Sequence, residues 1–384
     1  MENKILDTSL FDGLNECPTG GIAEAVINAS AKMRRYDRIM VCVSGGKDSD
    51  YVVDILATLD KDLYGGRKCR YVNIDPGLEY KATKEHLDEL EEMYSIKIIR
   101  LHPKKTVAQV AKYAQPFCNK QASEYISRLQ KHGFAFENHY EDTLDTLLSL
   151  YPNCQSALEW FTNQKGEGSR LNIDWNKDLK SFLCKYPPYF DIGRECCVES
   201  KEKPMNEYTK KYGFDLIVTG IRKAEGGTRS VSFSSCFTDN SSRGEADEFR
   251  PLFFLKKEDL TAYEQARKVI HSKCYKPKPD VTEAQTESAS IGYGLKRTGC
   301  AACPFGQNCL EELEVCREYE PNLYKVTAGV FRDSITYTSM YRSYKDNLGH
   351  IPDELLKEYE ENRKSYERRI IQKKWRQYSI LDNI

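Results

Sequence analysis

The chain lacks long hydrophobic runs, and its charges are balanced. No eighteen consecutive apolar residues occur in it, so no membrane-spanning helix is predicted. No basic and then apolar N-terminal segment ending in small residues is present either, so we expect no secretory signal and predict a cytoplasmic protein. The 57 Lys and Arg residues match 58 Asp and Glu residues, which gives no global electrostatic reason to predict a protein that coats nucleic acid.

Histidine is scarce, whereas cysteine is abundant. None of the six histidines lies in metal-ligand spacing with another, so a histidine-based metal centre is not predicted. The 14 cysteines are not expected to form a disulfide framework in a reducing compartment. Some of them, such as Cys42 inside a predicted strand, are expected to be small buried hydrophobes.

The most informative segment is residues 39–49, with the sequence IMVCVSGGKDS. A β-branched apolar run predicts a buried parallel strand, and the residues after the glycines predict a helix. A glycine turn at a helix N-terminus presents converging backbone N–H groups, which favour an anion such as phosphate. The predicted phosphate-binding residues are Ser44, Gly45, Gly46, Lys47, Asp48 and Ser49.

Strands and helices alternate around this loop, which predicts an α/β fold with a doubly wound, mostly parallel sheet. The predicted strands include Arg38–Val43, Arg70–Ile74, Ile96–Leu101, Phe214–Thr219 and Pro251–Leu255. The predicted regions are an N-terminal helical leader (1–37), the first part of the nucleotide-binding domain (38–102), a helical insertion (103–190), the second part of that domain (191–295) and a cysteine-rich, helical C-terminal region (296–384). Ligands bind at the carboxyl ends of such strands, so Asp75 and Gly77 are expected to face the same crevice as the loop.

Four clustered cysteines are candidate metal ligands. Cys196 and Cys197 are adjacent, and Cys300 and Cys303 form a pair with two-residue spacing. A pair with this spacing commonly offers two thiolates to one centre, and four thiolates suit either zinc or an iron–sulfur cluster. The adjacent pair favours a [4Fe-4S] cluster over zinc, and Cys309 is an alternative ligand or a sulfur carrier.

These motifs together resemble a known family. Residues 44–49 resemble the SGGxDS loop of PP-loop ATP pyrophosphatases, which split ATP between the α and β phosphates. Residues 194–204 (RECCVESKEKP) and 298–305 (TGCAACPF) resemble the cysteine segments of iron–sulfur sulfonucleotide reductases. Residues 219–222 (TGIR), with Glu225 and Arg229, and residues 75–80 (DPGLEY) resemble further segments of the phosphoadenosine phosphosulfate (PAPS) reductase family. The similarity covers roughly 38–102, 192–270 and 295–345.

One departure from that family decides the expected function. Its reductases carry a nucleophilic cysteine in a C-terminal ECGLH-like segment, whereas this sequence has no cysteine after Cys316. The resemblance therefore implies a cluster-bearing PP-loop sulfurtransferase, which adenylates an acceptor oxygen, releases pyrophosphate and inserts sulfur. A sulfonucleotide reductase and a nucleotide- and cluster-binding subunit of a DNA phosphorothioation or phage-defence complex are the alternatives.

The resemblance also implies roles for individual residues. Lys47, Asp48, Arg222 and Arg229 are the expected catalytic residues. Gly220 and the loop residues are expected to bind ATP, with Mg²⁺ bridging its phosphates. Asp48 would either reach Mg²⁺ or cap the helix, and either arginine would contact phosphate or substrate.

The expected partners follow from this reaction. The acceptor would be a nucleobase, a tRNA, a DNA phosphate or a small metabolite. Sulfur would come from a cysteine desulfurase or from sulfide, carried by a cluster iron or as a persulfide on Cys309 or Cys236. A homodimer is expected, and no membrane partner.

Overall fold

A computed structural model describes residues 18–225, 233–278 and 292–381. It divides the chain into two compact units. The first unit takes its residues from 1–106 and 199–301, and the second from 107–198 and 302–384. The domain boundaries predicted from the sequence remain predictions.

The first unit contains a six-stranded sheet with the order β3-β2-β1-β4-β6-β5. Neighbouring strands are parallel except β5, which is antiparallel to β6. Since the strand order reverses direction at β1, the sheet is doubly wound, and the predicted fold class is confirmed. The strands are β1 (Ile39–Cys42), β2 (Cys69–Ile74), β3 (Ile98–Leu101), β4 (Leu216–Val218), β5 (Phe237–Thr238) and β6 (Asp247–Phe249).

The α-helices follow in chain order through the described ranges. They are α1 (Gly20–Arg35), α2 (Lys47–Tyr64), α3 (Lys81–Tyr94), α4 (Val107–Val110), α5 (Lys120–Lys131), α6 (Leu144–Leu150), α7 (Gln155–Phe161), α8 (Leu179–Lys185), α9 (Glu195–Cys197), α10 (Lys203–Tyr212), α11 (Lys257–Arg267), α12 (Cys309–Tyr319), α13 (Pro321–Val330), α14 (Arg332–Asp346) and α15 (Asp353–Leu381). None of these helices in the described part of the chain is both long enough and apolar enough to cross a membrane.

The core of the first unit lies where α1, α2 and α3 pack on the sheet. Ile39 and Val41 of β1 are fully buried, as are Val52 and Ile55 of α2 and Leu90 of α3. The parallel sheet is covered by helices, so its central strands are apolar almost throughout. This packing holds the carboxyl end of β1, and therefore the loop at 44–49, in place.

The prediction of a strand over Pro251–Leu255 is wrong. The segment forms successive turns, in which Phe253 N donates to Arg250 O at 3.1 Å and Leu255 N to Leu252 O at 3.0 Å. Proline has no N–H group for a strand ladder, which disfavours this segment in a sheet. The strand is instead β6, whose Asp247 and Glu248 do not give the apolar pattern expected of a buried strand.

The second unit is helical and has a core of its own. Aromatic rings dominate that core, with Phe117, Phe182 and Tyr337 fully buried and in mutual ring contact. Residues from 107–198 and from 302–384 contribute to it together. The buried Asp333 accepts a hydrogen bond from Gln115 at 3.1 Å, which links the two segments of this unit.

Candidate functional site

The glycine loop at 44–49 follows β1 and leads directly into α2. Three of its backbone N–H groups meet hydroxyl oxygens: Ser44 N donates to Ser49 Oγ at 3.0 Å, Gly46 N to Ser44 Oγ at 3.3 Å and Lys47 N to Tyr275 Oη at 3.4 Å. N–H groups that converge at a helix N-terminus are suited to bind the oxygens of an anion. The predicted loop residues therefore lie together in a geometry that suits phosphate.

Two glycines are required here for different reasons. Gly45 has a φ of +65°, and a Cβ atom there would lie 2.7 Å from Thr83 Cγ2. Gly220, which follows β4, approaches α2 so closely that a Cβ atom would lie 2.8 Å from the backbone carbon and oxygen of Asp48. The turn after β4 therefore packs directly on the start of α2, next to the loop that follows β1.

Arg222 extends from this turn to the loop. Its Nε donates to Asp48 Oδ1 at 2.8 Å, and the two side chains are 19% and 23% exposed. Asp48 is not the N-cap residue of α2, since that position is held by Gly46. Asp48 pairs with Arg222, and binding of Mg²⁺ by Asp48 remains a prediction.

The loop after β2 lies at the same edge of the sheet. Asp75 accepts from Gly77 N at 2.8 Å and pairs with Lys84 Nζ at 2.7 Å. Burial opposes ionisation of Asp75, but these two hydrogen bonds outweigh it and lower its pKa. Burial, followed by the charge of Asp75, raises the pKa of Glu79 to about 7. The edge therefore carries one ionised carboxylate and one that titrates near neutrality.

Sequence reasoning did not identify Tyr275 as part of the site, and it assigned Thr298 only to the cysteine segment. The Tyr275 hydroxyl receives hydrogen bonds from Lys47 N and, at 3.1 Å, from Thr298 N, and it lies 2.9 Å from Thr298 Oγ1. Tyr275 lies 228 positions from Lys47 in the chain, and nothing in its local sequence signals this contact. Arg229 lies outside the described residues.

The predicted cysteine ligands are divided between the two units. Cys300 belongs to the first unit, where its backbone pairs with Glu79 and the next residue, Ala301, donates through its N–H group to Leu78 O at 2.8 Å. Cys196, Cys197, Cys303 and Cys309 belong to the second unit. Their local backbones are unusual, because a π-helical turn over Val198–Glu202 follows the adjacent pair and Ala302 has a φ of +46°. Single π turns are frequent at functional sites.

The predicted cysteine ligands remain a prediction, because they come from two different units. Within the residues that the structure describes, no group of three or more His, Cys, Asp or Glu side chains could hold a metal ion. Cys309 is fully buried, and its Sγ accepts from Arg342 Nη2 at 3.5 Å.

Known proteins resemble parts of this chain. The family described as the phosphoadenosine phosphosulfate reductase domain matches residues 137–305. An uncharacterised protein of Methanocaldococcus jannaschii is 36% identical over 112 residues, which is 29% of this chain and 22% of that protein. A tRNA-cytidine(32) 2-sulfurtransferase of Vibrio cholerae is 34% identical over 126 residues, which is 29% of this chain and 38% of that enzyme. The chain thus spans well under half the length of these relatives.

A distant structural likeness exists as well. The crystal structure of a PAPS reductase from Candida auris has a TM-score of 0.35 and 13% identity, and the likeness covers 73% of this chain and 97% of that one. This score is too low to bear on function.

A parallel sheet with a glycine-rich loop at its switch point is the arrangement typical of nucleotide-binding α/β proteins. The match to the phosphoadenosine phosphosulfate reductase domain and the similarity to a tRNA-cytidine(32) 2-sulfurtransferase support the PP-loop, PAPS reductase-like placement that the motifs predicted. The family match includes residues 192–270, as expected, but it does not include residues 38–102, where similarity was also expected. It also includes residues 137–190, which were predicted to lie in an insertion outside the similarity.

Proposed function

We propose that this protein is an ATP-dependent sulfurtransferase that acts on a nucleobase of tRNA. The observation that carries this proposal is the loop at 44–49, whose N–H groups meet three hydroxyl oxygens beside the Arg222–Asp48 pair. The relationship to a tRNA-cytidine 2-sulfurtransferase supports the acceptor class.

In the first half of the reaction, the acceptor is activated. The acceptor oxygen attacks the α-phosphorus of ATP, the bond from that phosphorus to the bridging oxygen of the β-phosphate breaks, and pyrophosphate leaves. The loop N–H groups and Lys47 hold the phosphates, and Arg222 offsets negative charge as it moves to pyrophosphate. Mg²⁺ is proposed as a counter-ion of the phosphates.

In the second half, sulfur replaces oxygen. Sulfide attacks the carbon that bears the adenylated oxygen, and the bond from that carbon to oxygen breaks to release AMP. Sulfide already has the oxidation state of the product sulfur, so this step needs no reductant. The sulfur donor, a carrier role for Cys309 or Cys236, and a homodimer remain predictions.

A [4Fe-4S] cluster on Cys196, Cys197, Cys300 and Cys303, with Cys309 as an alternative ligand, is proposed from the sequence spacing alone. The test is the iron, sulfide and zinc content of protein purified without oxygen. About four irons and four sulfides per chain, lost in Cys300→Ser and kept in Cys69→Ser, would support the cluster. Zinc without iron would indicate a structural zinc site instead of the cluster. The absence of both metals would exclude a metal centre of either kind.

The function itself is tested by incubating the protein with ATP, sulfide and a tRNA pool. We expect AMP and pyrophosphate in equal amounts and a thiolated nucleoside detected by mass spectrometry after digestion of the tRNA. Lys47→Ala should reduce AMP formation about 100-fold or more, because it removes a cation from the phosphates. Lys61→Ala, at the exposed opposite end of α2, is the matched control and should retain activity.

Two other outcomes would redirect the assignment. The family match to the PAPS reductase domain favours a second candidate, a sulfonucleotide reductase. Sulfite released from a sulfonucleotide with thioredoxin, and without ATP cleavage, would establish that candidate instead. ATP binding with no pyrophosphate released in the presence of any acceptor would indicate a regulatory subunit.

A further inference from the structure

The phosphate loop is completed by a second segment of the first unit. Tyr275 ends a short 3₁₀ turn, Lys273–Tyr275, and Thr298 lies just before the CxxC sequence. A Cβ atom at Gly46 would lie 3.1 Å from Thr298 Oγ1 and 3.2 Å from Tyr275 Oη. Both hydroxyls therefore lie directly against the N-cap of α2, where the phosphate is proposed to bind.

The Tyr275 oxygen occupies the position of an anion oxygen. It accepts hydrogen bonds from Lys47 N on one side and from Thr298 N on the other. A neutral phenol oxygen has two lone pairs, and these two bonds use both. Its own proton is therefore directed to Thr298 Oγ1, which lies 2.9 Å away.

The Tyr275 turn is held firmly on both sides. Leu295 N donates to Cys274 O at 2.8 Å, and Tyr293 N donates to Lys273 O at 3.1 Å. On the α3 side, Ser272 Oγ donates to Ala82 O at 3.1 Å. Such anchoring reduces the entropy that a side chain loses when it binds a ligand.

The phenol keeps its proton at physiological pH, because burial raises the pKa of Tyr275 to about 12. A protonated phenol can donate to a phosphate oxygen, whereas a phenolate would repel it. The Lys47 ammonium lies 5.3 Å from the centre of the Tyr275 ring, so the same ring also borders the predicted phosphate-binding cation.

We propose that Tyr275 and Thr298 form the second half of the phosphate cradle, opposite the loop at 44–49. The Tyr275 hydroxyl occupies the place that a phosphate oxygen would take at α2. When ATP binds, a phosphate oxygen takes over the Lys47 and Thr298 N–H groups, and the Tyr275 hydroxyl turns to donate to it. This inference rests on the proposed function, and it adds substrate-contacting residues that the hexapeptide motif does not contain.

The test measures the binding of pyrophosphate and of α,β-methylene-ATP by calorimetry. Tyr275→Phe should raise Kd for both about tenfold or more, since it removes a hydrogen bond to a charged group. Thr298→Val should act in the same direction, and Thr298→Ser should restore binding. Tyr64→Phe, at the far end of α2, is the matched control and should bind like the wild type.

A second measurement separates contact from structure. Adenosine has no phosphate, so its affinity should be the same in Tyr275→Phe as in the wild type, whereas a merely structural change would weaken adenosine binding as well. Unchanged or tighter pyrophosphate binding in Tyr275→Phe would overturn the inference while leaving the proposed function intact. Absence of ATP and pyrophosphate binding in the wild type would overturn both.

Discussion

The glycine loop at 44–49 and the cysteine segments differ in how much of their geometry is set by residues that are close together in the sequence. The loop at 44–49 needs only one strand, one turn and one helix to bring its N–H groups together. The cysteines come from segments about a hundred positions apart, and they are divided between two units. Hydrogen bonds within a short turn are specified locally, whereas a four-thiolate site depends on long-range packing. A local motif such as the glycine loop therefore predicts the geometry of its N–H groups directly. Cysteines that are far apart in the sequence predict only which residues are candidate ligands.

The largest expected effect comes from closing the space between the β4 turn and α2. Gly220→Ala places a Cβ atom 2.8 Å from Asp48 backbone atoms, so α2 or the turn must shift. We expect a loss of ATP-dependent AMP formation and a fall of about 1–3 kcal/mol in the free energy of unfolding. Urea denaturation and an AMP assay measure the two effects.

The control for this variant is Gly20→Ala, at the start of α1, where no atom lies within 4 Å of the added Cβ. That variant should behave like the wild type. Full activity of Gly220→Ala would mean that the loop tolerates displacement of the β4 turn and that close packing of this turn on α2 is not needed for activity.

A smaller effect is expected from the ion pair that joins the loop to β4. Arg222→Gln removes a charge-assisted hydrogen bond to Asp48 and a cation beside the proposed phosphates. Such a bond contributes about 1.5–3 kcal/mol, so kcat for AMP formation should fall about 10- to 100-fold. Arg243→Gln, an exposed arginine of the same unit, should leave kcat unchanged. Equal kcat values for Arg222→Gln and Arg243→Gln would contradict a role for Arg222 in the reaction.

A third effect concerns pH. Burial by itself would lower the pKa of His86. The hydrogen bonds and negative charges of Asp50, and then of Glu89, outweigh burial, so the pKa of His86 is raised above its ordinary value. Asp50 is fully buried, 3.0 Å from His86 Nε2 and 2.8 Å from His271 Nδ1, and Glu264 lies 3.6 Å from His271 Nε2. Because the folded state favours protonated His86, this stabilisation is complete below the unfolded pKa of about 6.5 and is lost as pH rises through the higher folded value.

Denaturation between pH 5 and 9 measures this effect. The free energy of unfolding should decrease across the upper part of that range by about 1.4 kcal/mol for each unit of pKa difference. His86→Gln should flatten the decrease, whereas His132→Gln, at an exposed position, should not. An identical slope in His86→Gln and the wild type would assign the pH dependence to other groups.

The smallest effect is expected from a cysteine outside the proposed metal ligands. Burial, and then Glu248, raises the pKa of the Cys42 thiol to about 12. At pH 8 its thiolate should be scarce, so iodoacetamide should modify Cys42 in urea but not in the folded protein. Cys42→Ala should change AMP formation less than about twofold. Loss of bound iron in this variant would contradict its expected packing role.

The amount of structure that sequence patterns predict varies along the chain. The ends of β1, β2 and β3 were predicted to within about two residues, because apolar strands and helical segments alternate there without interruption. The edge of the sheet was predicted wrongly, since β5 has only two residues and β6 includes two acidic ones. Short polar strands are defined by their pairing partners, and these are not visible in local sequence.

By itself, the sequence determined the sheet class and the position of the glycine loop between β1 and α2, because these depend on residues close together in the chain. Two contacts were decided only by the tertiary structure. Arg222 pairs with Asp48, which is 174 positions away in the chain, and the Tyr275 hydroxyl accepts a hydrogen bond from Lys47 N, which is 228 positions away. The tertiary structure also decided that the candidate cysteine ligands fall into two units. The physical reason is that backbone hydrogen bonding within a turn acts over a few residues, whereas contacts between distant segments depend on how the whole core packs.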